Sequence, residues 1–213
     1  MGVPNTLFKY LKSKDANDFF RQGIIRIGTL YDYRKTERHG TVIGDHQEGL
    51  ILEQEHYQNL TMQSNEDVPP FIRGRITVET GGMFQVMNST MGLSHQSPNF
   101  YIYCVTTKFD PKVMKEFGYD TCFEIIDTTQ FINGLNRCMR HKGTFIGAYE
   151  CIYTEKVVSP GNKPNHHPAL VKDPKFSYQN EVRLLWKPNS EHPRPVRMTC
   201  RKIPRHCSYA NNS

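Results

Sequence analysis

The amino-acid sequence predicts an α+β fold, and three observations lead to this prediction. Apolar stretches typical of strands are interleaved with segments that carry helix-capping and helix-ending residues. Residues 99–107 form the densest strand pattern, rich in β-branched and aromatic side chains, so we expect them near the centre of a sheet. The 12 Phe and 11 Tyr among 213 residues supply enough large side chains for one core, although the mean hydropathy is -0.61.

The first half of the chain is predicted to begin with a strand, a helix and a second strand. Leu7–Leu11 and residues 24–30 have strand patterns, and residues 13–23 have a helix pattern with Ser13 as N-cap and Gly23 at the end. The polar, charged and irregular composition of residues 31–49 predicts a loop. Two further stretches, on either side of a Pro-containing turn, are predicted to pair as strands: residues 50–58 and 74–79.

The second half is predicted to mix helices and strands. Asp110 and Asp127 stand at N-cap positions, the first before a short helix and the second before a helix that reaches about Met139. The predicted strands are residues 122–126, 147–153 and 181–186. Residues 159–175, rich in Pro, His and Lys, are predicted to form a loop.

The charge balance of the chain points to an anionic partner. A net charge of +6 and a pI near 9.0 favour approach to a nucleic acid, a nucleotide or an anionic protein. Part of this charge lies in residues 191–213, which contain several Arg and Pro residues. We therefore expect one domain over residues 1–190, followed by a solvated basic tail over residues 191–213.

The cysteine pattern and the absence of targeting patterns suggest a compartment. The six cysteines form no C-x-x-C pair, so we expect reduced, buried thiols and no zinc site. The sequence has neither a signal-peptide pattern nor an apolar run long enough to cross a bilayer. We expect a cytoplasmic protein without membrane contact.

Four short motifs follow one another along the chain. They are Lys9-Tyr10, Asp45-His46-Gln47-Glu48, Cys104-Val105-Thr106 and Tyr178-Gln179-Asn180-Glu181-Val182-Arg183. Their order resembles that of a bacterial family associated with the ADP-ribosyltransferase superfamily. Without the Asp45–Glu48 motif, the set also resembles the three motif strands of that superfamily, in which a basic or histidine residue comes early, a Ser/Thr strand lies centrally and a Glu comes late. The resemblance spans roughly residues 7–186. It implies mainly antiparallel, split β-sheets with flanking helices around a cleft that holds NAD as co-substrate.

The resemblance implies that Glu181 is the catalytic residue. Cleavage of the bond between nicotinamide and ribose builds positive charge on the sugar, so a carboxylate on a rigid strand that binds the ribose lowers the barrier. Without the resemblance, Glu181 is equally well explained as the ion-pair partner of Arg183, which lies two residues further on the same face of a strand.

The resemblance also implies which residues bind the two substrates. Lys9 occupies the position of an Arg or His that holds ribose or phosphate, and Thr106 occupies the position of a hydroxyl that braces the catalytic carboxylate. The residues expected to bind NAD are Lys9, Tyr10, Arg26, Tyr31, Thr106 and Thr107, and Tyr33 is a further candidate for stacking. The residues expected to bind a macromolecular acceptor are Arg34, Asp45, Glu48 and Arg183. Nucleic acid is favoured over protein as the acceptor, and no metal is expected.

Small members of the superfamily are often toxins or phage-defence effectors, so the resemblance also implies an antitoxin or another neutralising protein as a partner. Two other functions are compatible with the residues. Asp173, Glu181 and Arg183 loosely imitate the site of Mg-dependent nucleases, in which a lysine stands where this chain has arginine, and arginine does not readily lose its proton. A second possible set of metal ligands is Asp45, His46, Glu48 and either His166 or His167. The basic charge and the aromatic content also fit a non-catalytic nucleic-acid-binding module.

Overall fold

The computed structural model describes residues 4–161 and 166–210, which contain thirteen β-strands and four α-helices. The strands are β1 (Leu7–Leu11), β2 (Ile24–Thr29), β3 (Leu50–Met62), β4 (Phe84–Gln96), β5 (Tyr101–Thr106), β6 (Thr121–Ile125), β7 (Gly143–Glu150), β8 (Ile152–Tyr153), β9 (Val157–Val158), β10 (Val171–Lys172), β11 (Glu181–Pro188), β12 (Val196–Thr199) and β13 (Cys207–Tyr209). The helices are α1 (Ser13–Gln22), α2 (Thr36–Ile43), α3 (Pro111–Glu116) and α4 (Thr128–Met139). The prediction of an α+β fold is confirmed. Within the described residues, no helix has the length and apolar character needed to cross a membrane.

An eight-stranded antiparallel sheet forms the centre of the molecule. Its strand order is β12-β2-β5-β1-β6-β13, and β11 pairs with both β5 and β7. The predicted central position of residues 99–107 is confirmed, because β5 pairs with β1, β2 and β11. Two smaller groups of strands, β4-β3-β9 and β8-β10, lie outside this sheet.

Helices α1 and α4 pack on one face of the main sheet. The side chains that β11 buries on this face are Val182, Leu184 and Trp186. Helix α4 adds Phe131, Leu135 and Met139, which recur at helical spacing. Its predicted N-cap is confirmed, since the Asp127 carboxylate accepts a hydrogen bond from the Gln130 N–H at 3.0 Å. Alternation along β11 therefore turns Glu181 and Arg183 towards the opposite face of the sheet.

The turn after α1 depends on a glycine. Gly23 has a φ of 69°, in the left-handed region, and its N–H donates to the Phe19 carbonyl at 2.7 Å. A Cβ at this position would lie 2.6 Å from the carbonyl carbon of Cys200. The predicted end of the helix is thus confirmed, whereas the predicted N-cap is wrong by one residue, because Lys12 precedes a helix that begins at Ser13.

The main sheet is split beside β5. Strand β11 runs along one edge of β5, and the other edge pairs with β2 through Gly28↔Ile102 and with β1 through Phe8↔Thr106. Between these two pairs the carbonyl oxygen of Cys104 accepts a hydrogen bond from the Lys9 ammonium at 2.6 Å. The sheet therefore opens next to the middle of β5.

Strands β3 and β4 form a long hairpin with a core of its own. Each strand has 13 residues, and they pair from Leu50↔Gln96 to Met62↔Phe84. The buried side chains of this separate core are Met62, Val68, Ile72, Val78 and Val86. The predicted pairing of residues 50–58 with residues 74–79 is wrong, because residues 74–79 lie in the connection between β3 and β4.

The prediction of a loop over residues 31–49 is corrected by two helical segments. A 3-10 helix covers Leu30–Arg34, capped by the Thr29 side chain, which accepts from the Asp32 N–H at 3.2 Å, and α2 follows. The sequence pattern does not predict these helices, because they are short and strongly charged and because Gly40 interrupts α2 with a φ of 70°.

The prediction of a solvated basic tail is corrected by two strands. Within residues 191–210, β12 pairs with β2 and β13 pairs with β6, and this segment buries three side chains in the main core, namely Cys200, Ile203 and Cys207. Residues 211–213 lie outside the described residues. The expectation of six reduced thiols is also corrected, since Cys138 and Cys200 form a disulfide with their Cα atoms 6.2 Å apart.

Candidate active site

A pocket opens at the split of the main sheet, on the face opposite α4. About 630 Å³ of space lies between its lining atoms, part of it open to solvent. Its charged lining residues are Lys9, Lys172, Arg183, Glu48 and Glu181. Its aromatic lining residues are Phe8, Tyr10, Tyr33, Phe117 and Tyr119. The pocket thus combines buried charges with planar apolar surfaces.

Glu181 is an ionised carboxylate held between two cations. It is 8% exposed; its Oε2 accepts from Lys172 Nζ at 2.6 Å and its Oε1 accepts from Arg183 Nε at 2.7 Å. Burial on its own raises the pKa of Glu181, but the charges and hydrogen bonds of Arg183 and Lys172 outweigh burial, so the pKa lies well below its ordinary value. The carboxylate is therefore charged at neutral pH.

Arg183 extends this ion pair to a second carboxylate. Its two terminal nitrogens donate to Oε1 and Oε2 of Glu48 at 2.7 and 3.0 Å, and Nη1 also donates to the Ala169 carbonyl at 2.5 Å. Burial on its own lowers the pKa of Arg183, but the acidic groups around it hold the pKa above its ordinary value. A planar guanidinium that grips a carboxylate with two bonds is a stable arrangement in a low-dielectric site.

Lys172 connects the pocket to α2. Its ammonium donates to the amide oxygen of Gln179 as well as to Glu181, and the Gln179 amide nitrogen donates to the Val42 carbonyl at 2.9 Å. Burial on its own lowers the pKa of Lys172, but the carboxylates of Glu181 and Glu48 raise it above its ordinary value. Lys172 is therefore charged, and it fixes the orientation of Glu181.

Lys9 is the cation of the pocket that no carboxylate contacts. Three cations and two carboxylates line the pocket, and Lys9 forms no ion pair with any residue in the described part of the chain. Its ammonium donates to the Cys104 carbonyl at 2.6 Å and lies 4.8 Å from the centre of the Tyr103 ring. Burial lowers the pKa of Lys9 more than the charges of Cys104 and Glu181 raise it, so an anion bound beside Lys9 would stabilise its charged form. A pocket with this imbalance favours an anionic ligand.

The aromatic rings come from three parts of the chain. The Tyr33 ring packs closely on β2, where a Cβ at Gly28 would lie 3.0 Å from it. Phe117 lies just after α3, with its ring centre 6.0 Å from that of Tyr10 and 6.3 Å from that of Tyr119. Burial raises the pKa of Tyr33 and of Tyr119, so their hydroxyls stay protonated at neutral pH.

Seven of the residues proposed from the sequence line this pocket: Lys9, Tyr10, Tyr33, Glu48, Thr106, Glu181 and Arg183. Thr106 pairs with Glu181 across β5 and β11, but its hydroxyl bonds the backbone of Lys108 at 3.2 Å and not the carboxylate. Tyr10 similarly donates to the Lys108 carbonyl at 2.9 Å. Both side chains thus shape the end of β5 beside the pocket.

The other five proposed residues lie elsewhere, and most of them have structural partners. Arg26 pairs with Asp32 at 2.5 Å, and Asp45 pairs with Lys156 at 2.5 Å. Arg34 stacks on the Tyr31 ring at 3.9 Å and donates to the Glu48 carbonyl at 2.7 Å. The Tyr31 hydroxyl donates to the Ser97 carbonyl, and the Thr107 N–H donates to the Asn180 carbonyl. Arg26, Tyr31, Arg34, Asp45 and Thr107 are therefore not among the pocket-lining residues.

The pocket residues that pattern analysis did not propose include Lys172, Gln179, Phe117 and Tyr119. Lys172 lies in a stretch predicted as a loop, and the only signal for its burial is the apolar Ala169-Leu170-Val171 that precedes it. Phe117 and Tyr119 follow the short helix α3, and tertiary packing alone places them beside β1. Nothing in the sequence alone distinguishes them from ordinary core aromatics.

No ligand cluster among the described residues supports either of the alternative metal sites. Residues 4–161 and 166–210 contain no group of three or more His, Cys, Asp or Glu side chains that could hold a metal ion. Asp173 pairs instead with Lys175 at 3.5 Å.

Comparison of the chain with family models, curated proteins and solved structures finds no match. The support for a function therefore comes from the pocket itself.

Proposed function

We propose that this chain is an NAD-dependent ADP-ribosyltransferase with Glu181 as its catalytic residue. The observation that carries the proposal is the buried, ionised Glu181 in one pocket with Lys9 and Thr106. Glu181 lies in the late strand β11, Lys9 in the early strand β1 and Thr106 in the central strand β5. This is the arrangement along the chain that the superfamily resemblance implies. The meeting of these three residues at the split of an antiparallel sheet supports the resemblance.

The chemistry of the lining fits a dinucleotide. Lys9, which has no carboxylate partner, is suited to a diphosphate, and the rings of Tyr33, Phe117 and Tyr119 are suited to heterocyclic bases. When bound, NAD supplies a ribose whose bond to nicotinamide breaks with positive charge on the sugar. An ionised carboxylate at that place stabilises the charge.

Glu181 retains the capacity to accept further hydrogen bonds. An ionised carboxylate offers about four acceptor positions, and Lys172 and Arg183 each donate one bond to it. The remaining positions are available to a ribose hydroxyl. Lys172 and Arg183 act as positioning residues, because they hold the carboxylate in one orientation.

The proposal is tested by measuring nicotinamide release from labelled NAD, with and without added nucleic acid or protein. Glu181→Gln is expected to lower the rate by about 100-fold or more while NAD still binds, because the group that stabilises the transition state loses its charge. Asp45→Asn is the matched control. It also removes a carboxylate from a buried ion pair, but Asp45 does not line the pocket, so nicotinamide release is expected to stay within twofold.

Both variants are assayed below their unfolding temperatures, which circular dichroism defines. Lys9→Met is expected to raise KM for NAD more than it lowers kcat, because Lys9 contributes charge to binding. A Glu181→Gln protein that releases nicotinamide at the wild-type rate would disprove the catalytic assignment. Calorimetry that detects no NAD binding to the wild type would reject the whole proposal. Mg-dependent cutting of nucleic acid without NAD would favour a nuclease.

A further inference from the structure

Six exposed cations gather where α4 ends and where the chain turns after β12. They are Arg137, Arg140, Lys142, Arg201, Lys202 and Arg205. The Cys138–Cys200 disulfide joins the two segments, and Ile203 packs so closely on α4 that a Cβ at Gly134 would lie 2.9 Å from it. We call these six side chains the basic surface. It is a product of the fold, because more than 50 residues separate its two segments along the chain.

Acidic side chains do not neutralise the basic surface. None of its six cations forms an ion pair with a residue in the described ranges, and the segments 137–142 and 200–206 contain no Asp or Glu. Asp127, an acid, lies 3.8 Å from His206. The chain has 27 Lys and Arg against 21 Asp and Glu, so the other basic residues balance the acids. The net charge of +6 therefore equals the charge of this surface.

We infer that the basic surface binds the phosphate backbone of a nucleic acid. Uncompensated Lys and Arg side chains on one surface release counterions from a polyphosphate, and arginine forks match phosphate oxygens. The negative end of the α4 dipole explains a preference for cations at Arg137 and Arg140. It does not explain Arg201, Lys202 and Arg205, which belong to a different segment.

The basic surface is separate from the pocket. The Lys142 carbonyl accepts a hydrogen bond from the Asn189 N–H at 2.9 Å, just beyond the end of β11, whereas Glu181 begins that strand. A strand of this length spans about 25 Å, and the pocket lies on the other face of the sheet. Binding at the basic surface does not depend on NAD. That the bound nucleic acid is also the acceptor of the transfer rests on the proposed function.

The inference is tested by fluorescence anisotropy with a labelled DNA duplex and a labelled single-stranded RNA, over about 50 to 200 mM salt. The triple variant Arg140→Gln, Arg201→Gln, Lys202→Gln is compared with the matched control Lys14→Gln, Arg75→Gln, Lys112→Gln. The control removes the same charge from three exposed side chains outside the basic surface. We expect the first variant to bind at least tenfold more weakly and to lose about one unit of salt slope per phosphate contact removed. The control is expected to bind within twofold of the wild type.

Three results would overturn the inference: no binding of either probe by the wild type at low salt, equal losses in the two triple variants, or displacement of the probes by poly-glutamate as effective as by unlabelled duplex. The first excludes a nucleic-acid surface, and the others reduce it to general charge attraction. Nicotinamide release is measured on the same proteins and is expected to be unchanged in both triple variants. Binding without NAD cleavage would reject the proposed function alone, whereas NAD cleavage without binding would reject this inference alone.

Discussion

At the scale of single residues, the pocket is built on a chain of four buried charges. Lys172, Glu181, Arg183 and Glu48 contact one another in this order, and each is at most 8% exposed. Charges at such depth are tolerated only when each has a partner and its remaining hydrogen-bonding positions are satisfied. Removal of any one of these charges therefore leaves a buried partner uncompensated.

Removal of the Glu181 charge is expected to destabilise the protein. Glu181→Gln leaves Lys172 without a carboxylate partner and leaves Arg183 with Glu48 alone, so we expect a loss of about 3–5 kcal/mol of unfolding free energy at neutral pH. Because the folded-state pKa of Glu181 is lowered, its contribution is full above the ordinary carboxyl pKa and disappears as pH falls through the folded value. Urea unfolding at neutral pH and at decreasing pH should therefore show a difference between the two proteins that shrinks towards acid.

The control for this experiment is a surface ion pair. Asp18 pairs with Arg197 at 2.7 Å, and the Arg197 side chain is 56% exposed. Asp18→Asn is expected to change the unfolding free energy by less than about 1 kcal/mol, since exposed pairs contribute little. A Glu181→Gln protein as stable as wild type would show that the four charges do not support the fold.

At the scale of elements, the β3–β4 hairpin is separable from the rest of the chain. Its core of Met62, Val68, Ile72, Val78 and Val86 shares no residue with the main core, and at its base β3 pairs with β9 only through Leu52 and Glu53. The main core therefore contains none of the apolar side chains of the distal hairpin.

A shortened hairpin is expected to leave the remaining protein folded. Replacement of residues 55–91 by an Asn-Gly turn keeps the pairs Glu53↔Leu93 and Gln54↔Gly92 at the base, and the Asn-Gly pair favours a tight hairpin. We expect one cooperative thermal transition with a Tm within a few degrees of wild type. Loss of cooperative unfolding would show that the distal hairpin supports the main sheet.

Elements with strong local signals were predictable, and those defined by distant partners were not. The β-branched and aromatic residues of β5 predicted its central place, and the Asp127 cap predicted α4. The partner of β3 was missed because pairing is decided between residues far apart in sequence, and β4 lacks the apolar run that identified β5. Of the pocket residues, Glu181 was predictable from its motif. Lys172 was not, because only the folded chain brings its ammonium into contact with that carboxylate.

At the scale of the whole molecule, the C-terminal segment completes the sheet. β12 lies at one end of the path of paired strands and β13 lies at the other, so this segment covers both β2 and β6. Between them, Cys200 and Ile203 fill the main core next to α1 and α4. The positive charge that suggested a solvated tail lies on the exposed side of this covering segment.

Truncation distinguishes a covering segment from a tail. A chain that ends at residue 190 loses β12, β13 and the buried Cys200, Ile203 and Cys207, which exposes the β2 and β6 edges and part of the main core. Since loss of several buried apolar side chains exceeds the usual stability of a domain, we expect this protein to lack a cooperative transition in circular dichroism and to bind a hydrophobic dye. A chain that ends at Ala210 keeps both strands and is expected to unfold like wild type. Cooperative unfolding of the shorter chain at a Tm near that of wild type would restore the view that residues 191–213 are an appendage.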